Sequence, residues 1–174
     1  EKNFKSIANY YPEKTIISTG LSKWCGAGGW RLGYFVMSES LNQLRDTLKV
    51  LASETFSSVS APIQYAAIAA YNNDHSEYIN NSKNILKAVG EYVYNNLKSN
   101  NIIINKPQGG FYLMPEFVNK NFSSSDEMCS DILKETGVAL LPGCDFGFSK
   151  NKMIVRLSFT DIDGRTFMKS VSDT

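Results

Sequence analysis

The pattern of apolar and polar positions divides the chain into two textures. Residues 15–18 form a short β-prone run ending at Gly20, and residues 33–37 (GYFVM) form a second. Between them lies a polar, glycine-rich loop that holds Lys23 and Arg31. Strand, glycine-rich loop, strand is a common way for an α/β protein to present a small-ligand site. Leu41, Leu44, Leu48 and Leu51 recur at helical spacing and predict an amphipathic helix over 39–51. Ser60 and Pro62 stand as an N-cap and a first-turn proline. The run IQYAAIAAY behind them predicts a buried helix over 63–71. Ile79, Leu86, Val89, Val93 and Leu97 mark a long helix that frays into the polar residues 98–101.

After that the texture changes. Residues 102–104 and 111–114 read as strands joined through Pro107, Gly109 and Gly110. Residues 126–136 read as a helix stopped by Gly137, and 138–141 and 154–159 as further strands. The expected fold class is therefore α/β plus α+β, with a division near 74/75. Residues 1–74 have too few strands to close a sheet and read as the tail of a larger α/β domain. Residues 75–174 read as a small α+β domain, short at its end.

Composition narrows the function classes. The 174 residues are 43% hydrophobic and 20% charged, as in an ordinary globular protein. The net charge is +1 and its members are scattered, so no nucleic-acid partner is expected. No apolar run approaches the roughly 20 residues of a membrane span, so no membrane partner is expected either. The opening EKNFKSIANYYPEK lacks the apolar centre of a signal peptide. The chain begins without Met, which suggests part of a longer or processed protein. Cys25, Cys129 and Cys144 are odd in number and widely spaced, which fits neither a disulfide framework nor a zinc site. A reducing, cytoplasmic setting without a metal is expected. His75, the sole histidine, lies in the polar NNDHSE and is expected at a solvated surface. Asp161, Asp163 and Gly164 suggest a turn; the spacing of a calcium loop is not met.

The chemistry concentrates in SKWCGAGGWRLGYF, with four glycines, two tryptophans, a lysine and an arginine. Small residues let the backbone come close to a ligand. A lysine that is desolvated, or near another cation, loses proton affinity and becomes a nucleophile toward carbonyls. Arg31 suits a phosphate, because its planar fork bonds two oxygens at once; the bland alternative is a surface ion pair. Cys25 is expected to be a packing residue, since no histidine is near in sequence to activate it. Asp145 could form a local ion pair with Arg156.

On these residues a resemblance can be stated. Ser22-Lys23…Gly29-Trp30-Arg31-Leu32-Gly33-Tyr34 resembles the lysine signature of the class I/II aminotransferases of fold type I, aspartate aminotransferase-like. Pro107-Gln108-Gly109-Gly110-Phe111-Tyr112-Leu113 resembles that family's small-domain element. Val138-Ala139-Leu140-Leu141-Pro142-Gly143 with Phe146-Gly147 resembles another, and Val155-Arg156-Leu157-Ser158-Phe159 its arginine strand. The four occur in the family's order.

The resemblance implies roles. Lys23 would hold pyridoxal 5'-phosphate covalently and then act as the general acid and base. Arg31 would hold the cofactor phosphate, and Ser22 would help there or position Lys23. Arg156 would clamp the substrate α-carboxylate, while Phe111 and Tyr112 would be packing residues. The implied reaction moves an amino group between an L-amino acid and a 2-oxo acid, in a homodimeric parent protein. One departure is Gly20, which stands three residues before the lysine where many members carry a phosphate-binding serine. The family's ring-nitrogen aspartate lies upstream of the lysine, beyond this sequence, so the 174 residues alone are expected to be inactive. The same motif also serves β-lyases and cyclopropane-forming synthases, and a non-catalytic binding or structural domain is a further alternative.

Overall fold

The computed structural model describes residues 5–118 and 121–165. The chain resolves into two compact units, Glu1–Ile79 and Asn80–Thr174, which divide inside one long helix.

In the first unit, β1 (Ile16–Gly20) pairs antiparallel with β2 (Gly33–Met37), in register from Ile16 opposite Met37 to Gly20 opposite Gly33. The β-prone run expected from residue 15 and ending at Gly20 is thus a strand from Ile16 to Gly20. An isolated two-stranded ribbon is marginal in water, and this one is anchored by the segment that joins its strands. That segment begins with the single helical turn α1 (Leu21–Trp24), and ends by sending Leu32 into the core. Leu21, Leu32 and Ala67 form the buried cluster, with Val59, Ile63 and Ala70 packed against it.

Helix α2 (Asn42–Thr55) follows a 3-10 turn over Glu39–Leu41, so the helix expected over 39–51 begins and ends later. Helix α3 (Ala61–Asn72) has Ser60 at its N-cap, but the Ser60 hydroxyl caps nothing. Pro62 has no N–H to offer, and the Ile63 N–H donates to the Ser60 carbonyl instead. The expected burial of α3 is also corrected. Only Ala67 is buried, whereas Tyr65 is 74% and Ile68 55% exposed. An alanine-rich face supplies little side-chain area with which to cover a helix within so small a unit.

Helix α4 (Ser76–Leu97) is the long helix the spacing predicted. In the second unit, β3 (Ile102–Ile103) pairs with β5 (Glu116–Phe117), a strand that the sequence pattern missed. A three-stranded antiparallel sheet has the order β4 (Tyr112–Leu113), β7 (Val155–Ser158), β6 (Leu141–Pro142). The strand expected over 138–141 shrinks to its end, because the Val138 N–H turns back to the Thr136 hydroxyl. Val89, Leu113 and Phe159 form one buried cluster of this unit; Met128, Cys129, Met153 and Val155 form another. The second cluster lies under α5 (Ser125–Thr136), which ends on Gly137 in the left-handed conformation, φ 74°. Asp163 accepts from the Arg165 N–H in the expected turn. Gly164 and Arg165 are helical. No helix among the described residues is long and apolar enough to cross a membrane.

The start of α5 is fixed twice. The Ser124 hydroxyl accepts from the Glu127 N–H at 3.2 Å, and the Glu127 carboxylate accepts from the Ser123 N–H at 2.8 Å. The Ser123 side chain and backbone donors hold the Glu127 carboxyl below its ordinary pKa. A carboxyl with a depressed folded-state pKa stabilises above its unfolded pKa, and that stabilisation is lost as the pH falls through the folded value. Ser124→Ala is expected to cost about 1 kcal/mol in urea unfolding. Glu127→Gln should flatten the acid limb of the stability-versus-pH curve; an unaltered acid limb would contradict this cap.

Candidate active site

Lys23 sits on α1, directly after the ribbon strand β1. The segment that carries it is closed at its base by one contact. The Leu21 N–H donates to the Leu32 carbonyl at 3.2 Å, and the Ala27 N–H donates to the Leu21 carbonyl at 3.3 Å. Gly20 makes this closure possible. Its backbone is extended (φ 177°), so strain is not the reason for glycine. A Cβ at that position would lie 2.5 Å from the Leu32 carbonyl oxygen and 3.0 Å from the Gly33 Cα. In this chain the position three before the lysine is therefore closed to a serine by the packing of two backbones.

Arg31 takes the left-handed conformation, φ 55° and ψ 42°, which is uncommon for a residue other than glycine. Its Nη1 donates to the Gly28 carbonyl at 2.7 Å, and no ion pair of Arg31 occurs among the described residues. The turn at Arg31 brings its side chain back toward α1. As a result Ser22, Lys23 and Arg31 line one cleft of about 500 Å³, together with Ser18, Thr19 and Trp24. Lys23 is exposed there and Ser22 half-buried.

Behind the cleft the aromatic side chains form a chain of contacts. The Trp24 indole N–H donates to the Tyr71 hydroxyl at 3.3 Å, and the Tyr34 and Tyr71 rings meet edge to face at 5.5 Å. Hydrogen bonding with Tyr71 raises the Tyr34 hydroxyl above its ordinary pKa. His75 stands 5.8 Å from Trp24, ring to ring, and its Nε2 is enclosed without a partner among the described residues. His75, expected at a solvated surface, is half-buried beside the Trp24 ring. Cys25 is half-buried against the cluster of Leu21 and Leu32, and its thiol donates to the Leu21 carbonyl at 3.0 Å.

In the second unit, Arg156 projects from β7, half-buried. The expected ion pair with Asp145 is absent among the described residues. The guanidinium instead lies over the rings of Tyr112 and Phe146. Phe111 packs on the cluster of Val89, Leu113 and Phe159, as expected of a core residue, whereas Tyr112 is 37% exposed under Arg156. Phe146 was legible in the sequence only as part of a motif, with no signal of this contact. Asp126, Cys144 and Asp145 place ligand-type atoms within 4.8 Å of one another. The Cys144 thiol already donates to the Asp126 carboxylate at 3.4 Å, so this group is joined by its own hydrogen bonds.

Residues 2–166 match the family model described as aminotransferase class I and II. The chain is 34% identical over 147 residues to an aspartate aminotransferase of Bacillus sp. (strain YM-2), covering 81% of this chain and 36% of that protein. It is 34% identical over 163 residues to an aspartate aminotransferase of Bacillus subtilis (strain 168), covering 90% of this chain and 40% of that protein. The crystal structure of the aspartate aminotransferase from Rhizobium meliloti superposes with a TM-score of 0.78 at 22% identity, over 92% of this chain and 42% of that one. The chain thus spans well under half the length of these relatives.

The closure at Gly20 gives a direct test of this site's architecture. Gly20→Ala is expected to force the ends of β1 and β2 apart and to lower stability by about 1–3 kcal/mol in urea unfolding. Unchanged stability would show that the two backbones do not approach as closely as described.

Proposed function

The chain belongs to the class I and II aminotransferases, and from that membership we propose that the full-length protein transfers an amino group between an L-amino acid and a 2-oxo acid. Pyridoxal 5'-phosphate would be its cofactor, held in the cleft of Ser22, Lys23 and Arg31. The observation that carries this reading is that those three residues, spread over ten positions, line the same cleft.

The donor chemistry of the cleft fits that cofactor. An amine can bond to its aldehyde carbon, and a hydroxyl and a guanidinium can meet its phosphate. One Arg31 N–H is spent on Gly28, which leaves others for phosphate oxygens. Gly20 offers no hydroxyl, so Ser22 and Arg31 would carry that anion within this chain. When bound, the cofactor supplies an electron sink for the charge left when a substrate Cα–H bond breaks. Lys23 Nζ, released when the substrate amine takes its place, would accept that proton and return it two atoms away, on the far side of the amino nitrogen. Arg156 would bind the substrate carboxylate through two parallel N–H bonds, and so orient the Cα–H bond for cleavage.

Residues 1–74 would then be the end of the large cofactor-binding domain, and 75–174 the small domain. A cytoplasmic homodimer acting on small molecules completes the proposal. The relatives named above are aminotransferases, which supports transfer over lyase or synthase chemistry.

Adding pyridoxal 5'-phosphate to the full-length protein is expected to produce a visible absorbance band. Lys23→Ala should abolish the band, and Arg31→Ala should raise the cofactor concentration needed by about tenfold or more. A band that persists at full strength in Lys23→Ala would overturn the assignment.

A further inference from the structure

The contact between Arg156 and two aromatic rings goes beyond a carboxylate-binding role. The guanidinium carbon lies 4.5 Å from the centroid of Tyr112 and 4.4 Å from that of Phe146. The rings arrive from the two flanks of the strand that bears Arg156. Tyr112 belongs to β4, and Phe146 to the 3-10 turn Gly143–Phe146 that follows β6. Both are restrained. The Tyr112 and Phe111 rings stand 4.4 Å apart, and Phe111 is seated on the core cluster. The Phe146 turn is pinned where the Gly143 N–H donates to the Ile154 carbonyl at 2.7 Å; a Cβ on Gly143 would lie 2.7 Å from that same oxygen. It closes on Gly147 at φ 86°.

Guanidinium has five N–H donors. Among the described residues, no ion pair consumes those of Arg156. This choice of neighbours matters chemically. A carboxylate beside Arg156 would fix the side chain but use its donors and neutralise its charge. An aromatic face attracts the cation while leaving every N–H free. With rings over its central carbon, the group is left to meet an anion through its N–H edge. We propose that Tyr112 and Phe146 are positioning residues, which fix the Arg156 guanidinium and present that edge to a ligand carboxylate. This rests on the reading of Arg156 as the carboxylate-binding residue.

The test is calorimetric titration of the full-length, cofactor-free protein with propionate, succinate and 3-phenylpropionate, continued with the one the wild type binds most tightly. Arg156→Met is expected to weaken binding by about 100-fold. Phe146→Leu and Tyr112→Leu should each weaken it by about tenfold. Phe146→Tyr and Tyr112→Phe, which keep a ring, should stay within about twofold of the wild type. Failure of the wild type to bind any of the three, or an Arg156→Met variant that binds as the wild type does, overturns the reading of Arg156 and the proposal with it. A large loss in Arg156→Met with no loss in either leucine variant overturns the positioning role alone. Equal losses in the leucine and ring-keeping variants also overturn it, because shape rather than the aromatic face would then be at work.

Discussion

The first unit depends on the place where two backbones touch at the end of the β1–β2 ribbon. There Gly20 faces Gly33, and the Leu21 N–H reaches the Leu32 carbonyl. Twelve residues, from Leu21 to Leu32, are thereby closed into a loop whose two ends are both buried, Leu21 at 1% and Leu32 at 9% exposure. Everything between those ends can be polar, glycine-rich and open to a ligand because the ends themselves are not. Lys23 follows one buried end by two residues and Arg31 precedes the other by one. Their convergence on one cleft is a consequence of the closure. The left-handed backbone of Arg31 belongs to the same account, since a strained conformation persists only where its surroundings determine it.

The second unit solves a related problem with aromatic rings. Arg156 stands on the central strand of three; the neighbouring strand β4 brings the Tyr112 ring toward it, and the turn that follows β6 brings the Phe146 ring. Here too a glycine permits a close approach, Gly143 against Ile154. Among the described residues, neither Arg31 in the first unit nor Arg156 in the second forms an ion pair with a carboxylate. Such an arrangement suits cations that must bind anionic groups arriving from outside.

Much of this was legible in the sequence. Helix α4 and the Gly137 stop of α5 followed from spacing and from left-handed glycine, which act locally. The grouping of Ser22, Lys23 and Arg31 followed from a motif. What was not legible depended on partners distant in sequence. The burial expected of α3 failed because an apolar run states what a helix could bury, not what is present to bury it. The strand over 138–141 contracted because one threonine hydroxyl captured the Val138 N–H. His75 read as solvated, since nothing in NNDHSE announces Trp24, fifty-one residues before it. Asp145 read as a partner for Arg156 on sequence proximity, whereas the strand order delivered two rings instead. Gly20 read as a lost phosphate ligand, and its reason became visible only with Leu32 opposite it.

Lys23 is proposed as the residue at which pyridoxal 5'-phosphate is bound. Reductive labelling tests it most directly. The full-length protein is incubated with pyridoxal 5'-phosphate, reduced with borohydride, digested and analysed by mass spectrometry. A phosphopyridoxyl label is expected on the peptide that carries Lys23, at near one per chain. A label distributed over other lysines, with Lys23 unmodified, would contradict it.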